Sequence, residues 1–106
     1  KEDFLHKLFN IIDERKNSTS EDSYVKSLYD QGAIKINEKI LEEALELLEA
    51  TSDLSDKKKE KVIHETADLW FHTMVLLENE GLELEDILSE LETRFGTSGH
   101  EEKSSR

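Results

Sequence analysis

Three glutamates, Glu42, Glu43 and Glu46, crowd one short stretch, and a second acidic group, Glu65 and Asp68, begins nineteen positions after Glu46. On a helix each residue advances about 100°, so Glu46 and Glu43 fall about 40° and 100° round from Glu42, on one side. By the same geometry Glu65, Asp68 and His72 share a sector roughly 60° wide. Set face to face on antiparallel helices, the two stripes would gather several carboxylate oxygens with no thiolate and few imidazoles. That is the donor set of a hard divalent cation, Mg2+ or Mn2+. Zinc suits it less, and a ferritin-like di-iron site needs Glu-x-x-His, a spacing absent from this chain. A plainer reading stands beside the metal site. The acids could face water and pair with Lys35 and Lys39 at i,i+3 and i,i+4, each pair worth ~0.2–0.5 kcal/mol, while Lys61 holds Glu65 and His72 holds Asp68.

The surroundings of the second acidic group separate these readings. Val62, Ile63, Ala67, Leu69, Trp70, Phe71, Met74, Val75, Leu76 and Leu77 leave little of that segment polar, as expected of a helix buried between others. Carboxylates there are costly unless they are paired, protonated or bound to metal. With 26 acidic against 14 basic side chains the net charge is −12, the wrong sign for gripping nucleic acid through its phosphates. A phosphate ligand would need cations held by the protein's own carboxylates. No cysteine is present, which removes disulfides, thiolate metal sites and cysteine nucleophiles. No apolar run approaches the ~20 residues needed to cross a bilayer, and the amphipathic start does not resemble a secretory signal, so a cytoplasmic location is expected and no membrane partner.

The elements that must position these acids are legible from spacing and punctuation. The chain of 106 residues lacks proline and has four glycines, which suits an all-α protein, a bundle of about five helices. Phe4, Leu5, Leu8, Phe9, Ile11 and Ile12 recur at helical spacing and predict a first helix from about Glu2 to Lys16. Ser20 or Asp22 could cap a short second helix that runs through Tyr24 and Leu28 to Gln31 and stops at Gly32. A third carries Ile36, Ile40, Leu41, Ala44, Leu45, Leu47 and Leu48 to about Ala50. A fourth spans about Asp56 to Glu80, opening on Lys57, Lys58, Lys59 and Lys61 against the positive end of the helix dipole. Gly81 closes it, and a fifth runs from about Leu84 to Arg94. Residues 1–96 form one domain in this reading, and 97–106 a mobile tail.

These residues resemble a known pattern. Glu42-Glu43-x-x-Glu46 followed by Glu65-x-x-Asp68 is similar to the metal-binding signature of the MazG-like all-α nucleoside triphosphate pyrophosphohydrolases. Within that superfamily the chain most resembles the phosphoribosyl-ATP pyrophosphatase family of histidine biosynthesis. The likeness is carried by Ser23-Tyr24, Leu28, Gly32, Lys39, "ETADLWFHTMVLL" from Glu65, Gly81, Leu82, Leu91, Arg94 and the ending "SGHEEKSSR", nearly the whole chain from about residue 4. It departs at Leu41, where glycine is common, and at Trp70-Phe71, where Leu-Tyr is more usual.

The resemblance implies Mg2+-dependent hydrolysis of the bond between the α and β phosphates of phosphoribosyl-ATP, giving phosphoribosyl-AMP and pyrophosphate. It assigns Glu42, Glu43, Glu46, Glu65 and Asp68 to the metal and to catalysis, one of them taking a proton from water. Lys39 is expected near the phosphates or as an ion-pair partner within its helix, and Ser23 and Tyr24 either touch substrate or cap the short helix. His72 either orients the Asp68 carboxylate from behind or is a core histidine. Lys103 and Arg106 either fold over phosphates or belong to a mobile tail. The family's fold implies an interlocked homodimer, and the apolar fourth helix points the same way. A house-cleaning pyrophosphohydrolase acting on ordinary or damaged nucleoside triphosphates would share every metal ligand, and a non-enzymatic helical module would bind no Mg2+.

Overall fold

The computed structural model describes residues 2–17 and 23–96. It contains five helices: α1 (Glu2–Lys16), α2 (Tyr24–Gln31), α3 (Ala33–Ala50), α4 (Lys58–Asn79) and α5 (Leu84–Phe95). The all-α class and the five elements match the pattern in the sequence, with ends within two residues of those expected. Residues 97–106, with Lys103 and Arg106, and the suggested caps Ser20 and Asp22 lie outside the described residues. The cap in use is Ser23, whose backbone is extended and whose Oγ accepts the Lys26 N–H at 3.2 Å.

Glycine and short polar side chains set the corners. Gly32 has φ 90° and ψ −178°, a region essentially reserved for glycine, and its N–H donates to the Leu28 and Tyr29 carbonyls. Its own carbonyl then accepts from Lys35 and Ile36, so one residue both ends α2 and begins α3. The turn from α3 into α4 is organised by Asp53, whose carboxylate takes the Ser55 N–H at 2.7 Å and the Lys61 ammonium. Ser55 Oγ in turn accepts the Lys57 N–H, and α4 starts at Lys58, two residues later than expected. After Gly81, at φ 76°, Glu83 and Asp86 exchange bonds in a capping box that opens α5.

All five helices feed one core of Phe9, Ile12, Val25, Leu28, Ile36, Met74, Val75 and Leu84. Tyr29 ties α2 to α4 by donating to the Val75 carbonyl at 3.0 Å. The α3 and α4 members of this core come from the first part of α3 and the last part of α4. The other half of the long α3–α4 hairpin extends past the core, and there the structure departs from expectation. Leu41 is 63% exposed and Leu45 53%, with Leu48, Ile63 and Trp70 exposed beside them, so α4 is not enclosed by other helices of its own chain. In this stretch α3 turns its acidic side toward α4, and the apolar side is left outside. No helix among the described residues is long and apolar enough to cross a membrane.

The conformation at Gly32 gives a direct test. Gly32→Ala meets no steric obstacle to its Cβ but must adopt the strained backbone, so the unfolding free energy should fall by about 1–3 kcal/mol in chemical denaturation.

Candidate metal centre

Glu43 lies on the inner side of α3 and is 5% exposed. Glu46 follows one turn later, and Glu65 approaches from the antiparallel α4. One oxygen from each of these three carboxylates lies within 4.8 Å of the others. Glu43 Oε1 and Glu65 Oε1 are buried and have no hydrogen-bond partner among the described residues. Burial pushes the Glu43 carboxyl above its usual range, and Glu46 and Asp68 push further, only partly offset by His72 and Lys39. The Glu65 carboxyl is raised in the same way, by desolvation and then by Glu46, with which it can share a proton.

The two remaining predicted ligands flank this group. Asp68 is half-buried and raises both Glu43 and Glu65 through its charge, while its own carboxylate meets His64 at 3.3 Å. Glu42 is exposed and faces Lys39, at 3.2 Å. Lys39 also reaches Glu43 at 3.5 Å, and the bond to Glu42 strengthens its hold on its proton. The pairing of α3 acids with Lys39 within the helix is thus present, whereas on α4 the expected partners change: Lys61 goes to Asp53 rather than Glu65, and Asp68 to His64 rather than His72.

His72 is buried but does not hold the Asp68 carboxylate. Its Nδ1 lies 2.8 Å from the Asp68 backbone carbonyl, which can only accept, so Nδ1 carries the proton. Nε2, on the other side of the ring, shares a hydrogen bond of 2.8 Å with the Tyr24 hydroxyl. The Tyr24 ring stacks on Phe71, with centroids 6.3 Å apart, and remains partly exposed. Phe71 therefore serves as a stacking surface, and the hydroxyl at this corner is supplied by Tyr24. Ser23 caps α2 as an acceptor, which leaves its hydroxyl proton available.

Beyond Glu46 and Glu65, toward the α3–α4 turn, opens a cleft of about 390 Å3 lined by Glu46, Glu49, Ala50, Asp53, Lys61 and Glu65. Sequence reasoning leaves Lys61 out of the site. Its position one turn before Glu65 is a usable signal, whereas nothing local announces the bond between Tyr24 and His72, 48 residues apart.

The group fits a hard divalent cation on its own chemistry. The donors are all carboxylate oxygens, and two of them are buried without a donor to satisfy them. A model of the family described as phosphoribosyl-ATP pyrophosphohydrolase matches residues 5–95. The chain is 48% identical over 105 residues to the phosphoribosyl-ATP pyrophosphatase of Hydrogenovibrio crunogenus, covering 98% of this chain and 93% of that one. It is 46% identical over 105 residues to the phosphoribosyl-ATP pyrophosphatase of Vesicomyosocius okutanii, covering 99% and 97%.

Raised carboxyl pKa values give the cation-free protein a definite pH response. The folded state holds protons on Glu43 and Glu65 more tightly than the unfolded chain does, so their stabilising contribution is present below the ordinary value of 4.5 and lost as pH rises through the folded values. Glu78, raised to about 7 by burial and by Asp13, drifts with the same sign, so comparison with a Glu65→Gln variant isolates the site. Without divalent ions, Glu65→Gln should melt higher than wild type at pH 7.5 and lose that advantage near pH 4.5. Saturating wild type with Mg2+ at one hundred times its Kd should add about 2.7 kcal/mol, and the variant should gain much less. Melting curves with and without Mg2+ at both pH values check this.

Proposed function

The chain belongs to the phosphoribosyl-ATP pyrophosphohydrolase family, and on that premise we propose how its own residues carry out the reaction. It is a phosphoribosyl-ATP pyrophosphohydrolase of histidine biosynthesis, releasing pyrophosphate and leaving phosphoribosyl-AMP. The observation that carries the mechanism is the convergence of Glu43, Glu46 and Glu65 with two buried oxygens unpartnered. Mg2+, or Mn2+, held there with Asp68 and Glu42 at the margins would neutralise phosphate charge and make water more acidic.

The remaining work falls to side chains. Lys39, poised between Glu42 and Glu43, stays protonated at neutral pH and offers its ammonium to a phosphate. The Tyr24 ring, close enough to feel the charges of Lys39 and Glu43, borders the same end of the groove and, with Ser23 next to it in the chain, suits the ribose and base. His72 fixes the Tyr24 hydroxyl, and its own ring is fixed by the Asp68 carbonyl, so it orients the substrate end through Tyr24. A carboxylate of the acidic group takes the proton of the attacking water. The reaction belongs in the cytoplasm, where a biosynthetic enzyme meets such phosphorylated intermediates.

We also propose a homodimer. Leu41, Leu45, Leu48, Ile63 and Trp70 form an exposed apolar face on the half of the hairpin that the core does not cover, and a second copy would bury it.

Two measurements test this reading. With Mg2+, pyrophosphate release from phosphoribosyl-ATP should far outpace release from ordinary nucleoside triphosphates, and Glu43→Gln or Asp68→Asn should lower kcat by ~10²–10³-fold. Faster turnover of the ordinary triphosphates, or full activity in either variant, would contradict it. In sedimentation, wild type should run as a dimer and Leu45→Glu as a monomer; a wild-type monomer would remove the dimer.

A further inference from the structure

The antiparallel arrangement of α3 and α4 orders the groove. From the α2 end toward the 51–57 turn, α3 contributes Lys39, Glu43 and Glu46, while α4 contributes His72, Asp68 and Glu65. Beyond Glu46 and Glu65 the groove continues into the cleft of about 390 Å3, where Lys61 is the single cationic side chain among the described residues that line it. Its neighbours there, Glu46, Glu49, Asp53 and Glu65, are all acidic. Lys57, Lys58 and Lys59 are exposed and do not line the cleft.

Lys61 is held and still open. It bonds Asp53, whose other oxygen accepts the Ser55 N–H, and these bonds keep the Asp53 carboxyl well below its ordinary range. The aspartate is therefore ionised at any physiological pH and anchors the lysine. An ammonium has three donors, Asp53 occupies one, and the Lys61 side chain remains more than half exposed. The other donors can reach an anion in a cleft shared with two members of the acidic group.

The two ends of the groove differ in chemistry. The Lys39 end carries the Tyr24–Phe71 stack, an exposed aromatic surface suited to a nucleobase or ribose. Among the described residues, no aromatic side chain lines the Lys61 end. Resting on the pyrophosphohydrolase reading, we infer that Lys61 grips the pyrophosphate half of the substrate, so that the triphosphate lies with its terminal phosphates toward the 51–57 turn and its nucleoside toward Tyr24. Lys61 thereby sets the polarity of the bound nucleotide and holds the leaving group as the bond to the α phosphate breaks.

Calorimetric titration of the full chain with inorganic pyrophosphate, and separately with AMP, both with saturating Mg2+, tests the assignment. Lys61→Met should weaken pyrophosphate binding about tenfold or more and change AMP binding by less than about twofold. Lys61→Arg should restore most of the pyrophosphate affinity. Asp53→Asn, which frees the lysine without removing its charge, should cost less than Lys61→Met. Pyrophosphate affinity unchanged in Lys61→Met, or lost equally with AMP affinity, would overturn the assignment, as would an equal loss in Asp53→Asn, which would mark Lys61 as a strut of the turn. These results bear on Lys61 alone when wild type releases pyrophosphate from phosphoribosyl-ATP; a wild type that releases none would overturn the functional reading beneath it as well.

Discussion

Mutual repulsion among Glu43, Glu46 and Glu65 is the interaction around which the hairpin is arranged. Carboxylates within 4.8 Å of one another, two of them presenting buried oxygens without donors, oppose the close approach of the helices that carry them. The chain relieves part of this with Lys39 at one edge and by raising the affinity of Glu43 and Glu65 for protons. A cation bound there would relieve the rest, and a cation held by buried carboxylates is also what would let a polyphosphate approach a protein of net charge −12. Folding tension and catalytic capacity thus have the same origin.

The rest of the architecture holds the helices together despite that repulsion. The apolar core lies at the α2 end of the hairpin, where Ile36, Met74 and Val75 pack with α1, α2 and α5, and Tyr29 pins α2 to α4. At the opposite end the clamp is polar, with Asp53 gripping both Lys61 and the Ser55 backbone. Between these anchors α3 faces α4 with its acids and leaves Leu41, Leu45 and Leu48 outside. An amphipathic helix ordinarily buries its apolar stripe, and the second copy proposed above would restore that burial for these leucines.

Much of this is legible in the sequence, for physical reasons that also mark the boundary. Helix ends are readable because Gly32 and Gly81 sit at positive φ, where other residues are strained. The pairing of Glu43 and Glu46 with Glu65 is readable because helical periodicity puts each set on one face. Periodicity gives a face but not what opposes it. Glu42, only about 40° from Glu46, lies at the edge with Lys39, because the rotation of α3 is set by Ile36 in the core. The apolar run of α4 suggests enclosure, yet Ile63 and Trp70 are exposed in the single chain. Spacing alone points His72 at the Asp68 carboxylate, but a side chain four residues away can equally meet the carbonyl, and His72 does. The Tyr24 bond to His72 and the Asp53 bond to Lys61 depend on tertiary packing and loop geometry that no local pattern encodes.

A shared cation would complete the crowded carboxylates of α3 and α4. Titrating Mg2+ calorimetrically at neutral pH into wild type and into Glu65→Gln measures whether the acidic group binds it. Saturable binding in wild type, strongly weakened in Glu65→Gln, is expected, because the buried oxygens of Glu43 and Glu65 that lack donors would take the cation. The absence of saturable binding, or equal affinity in the variant, would contradict a cation shared there.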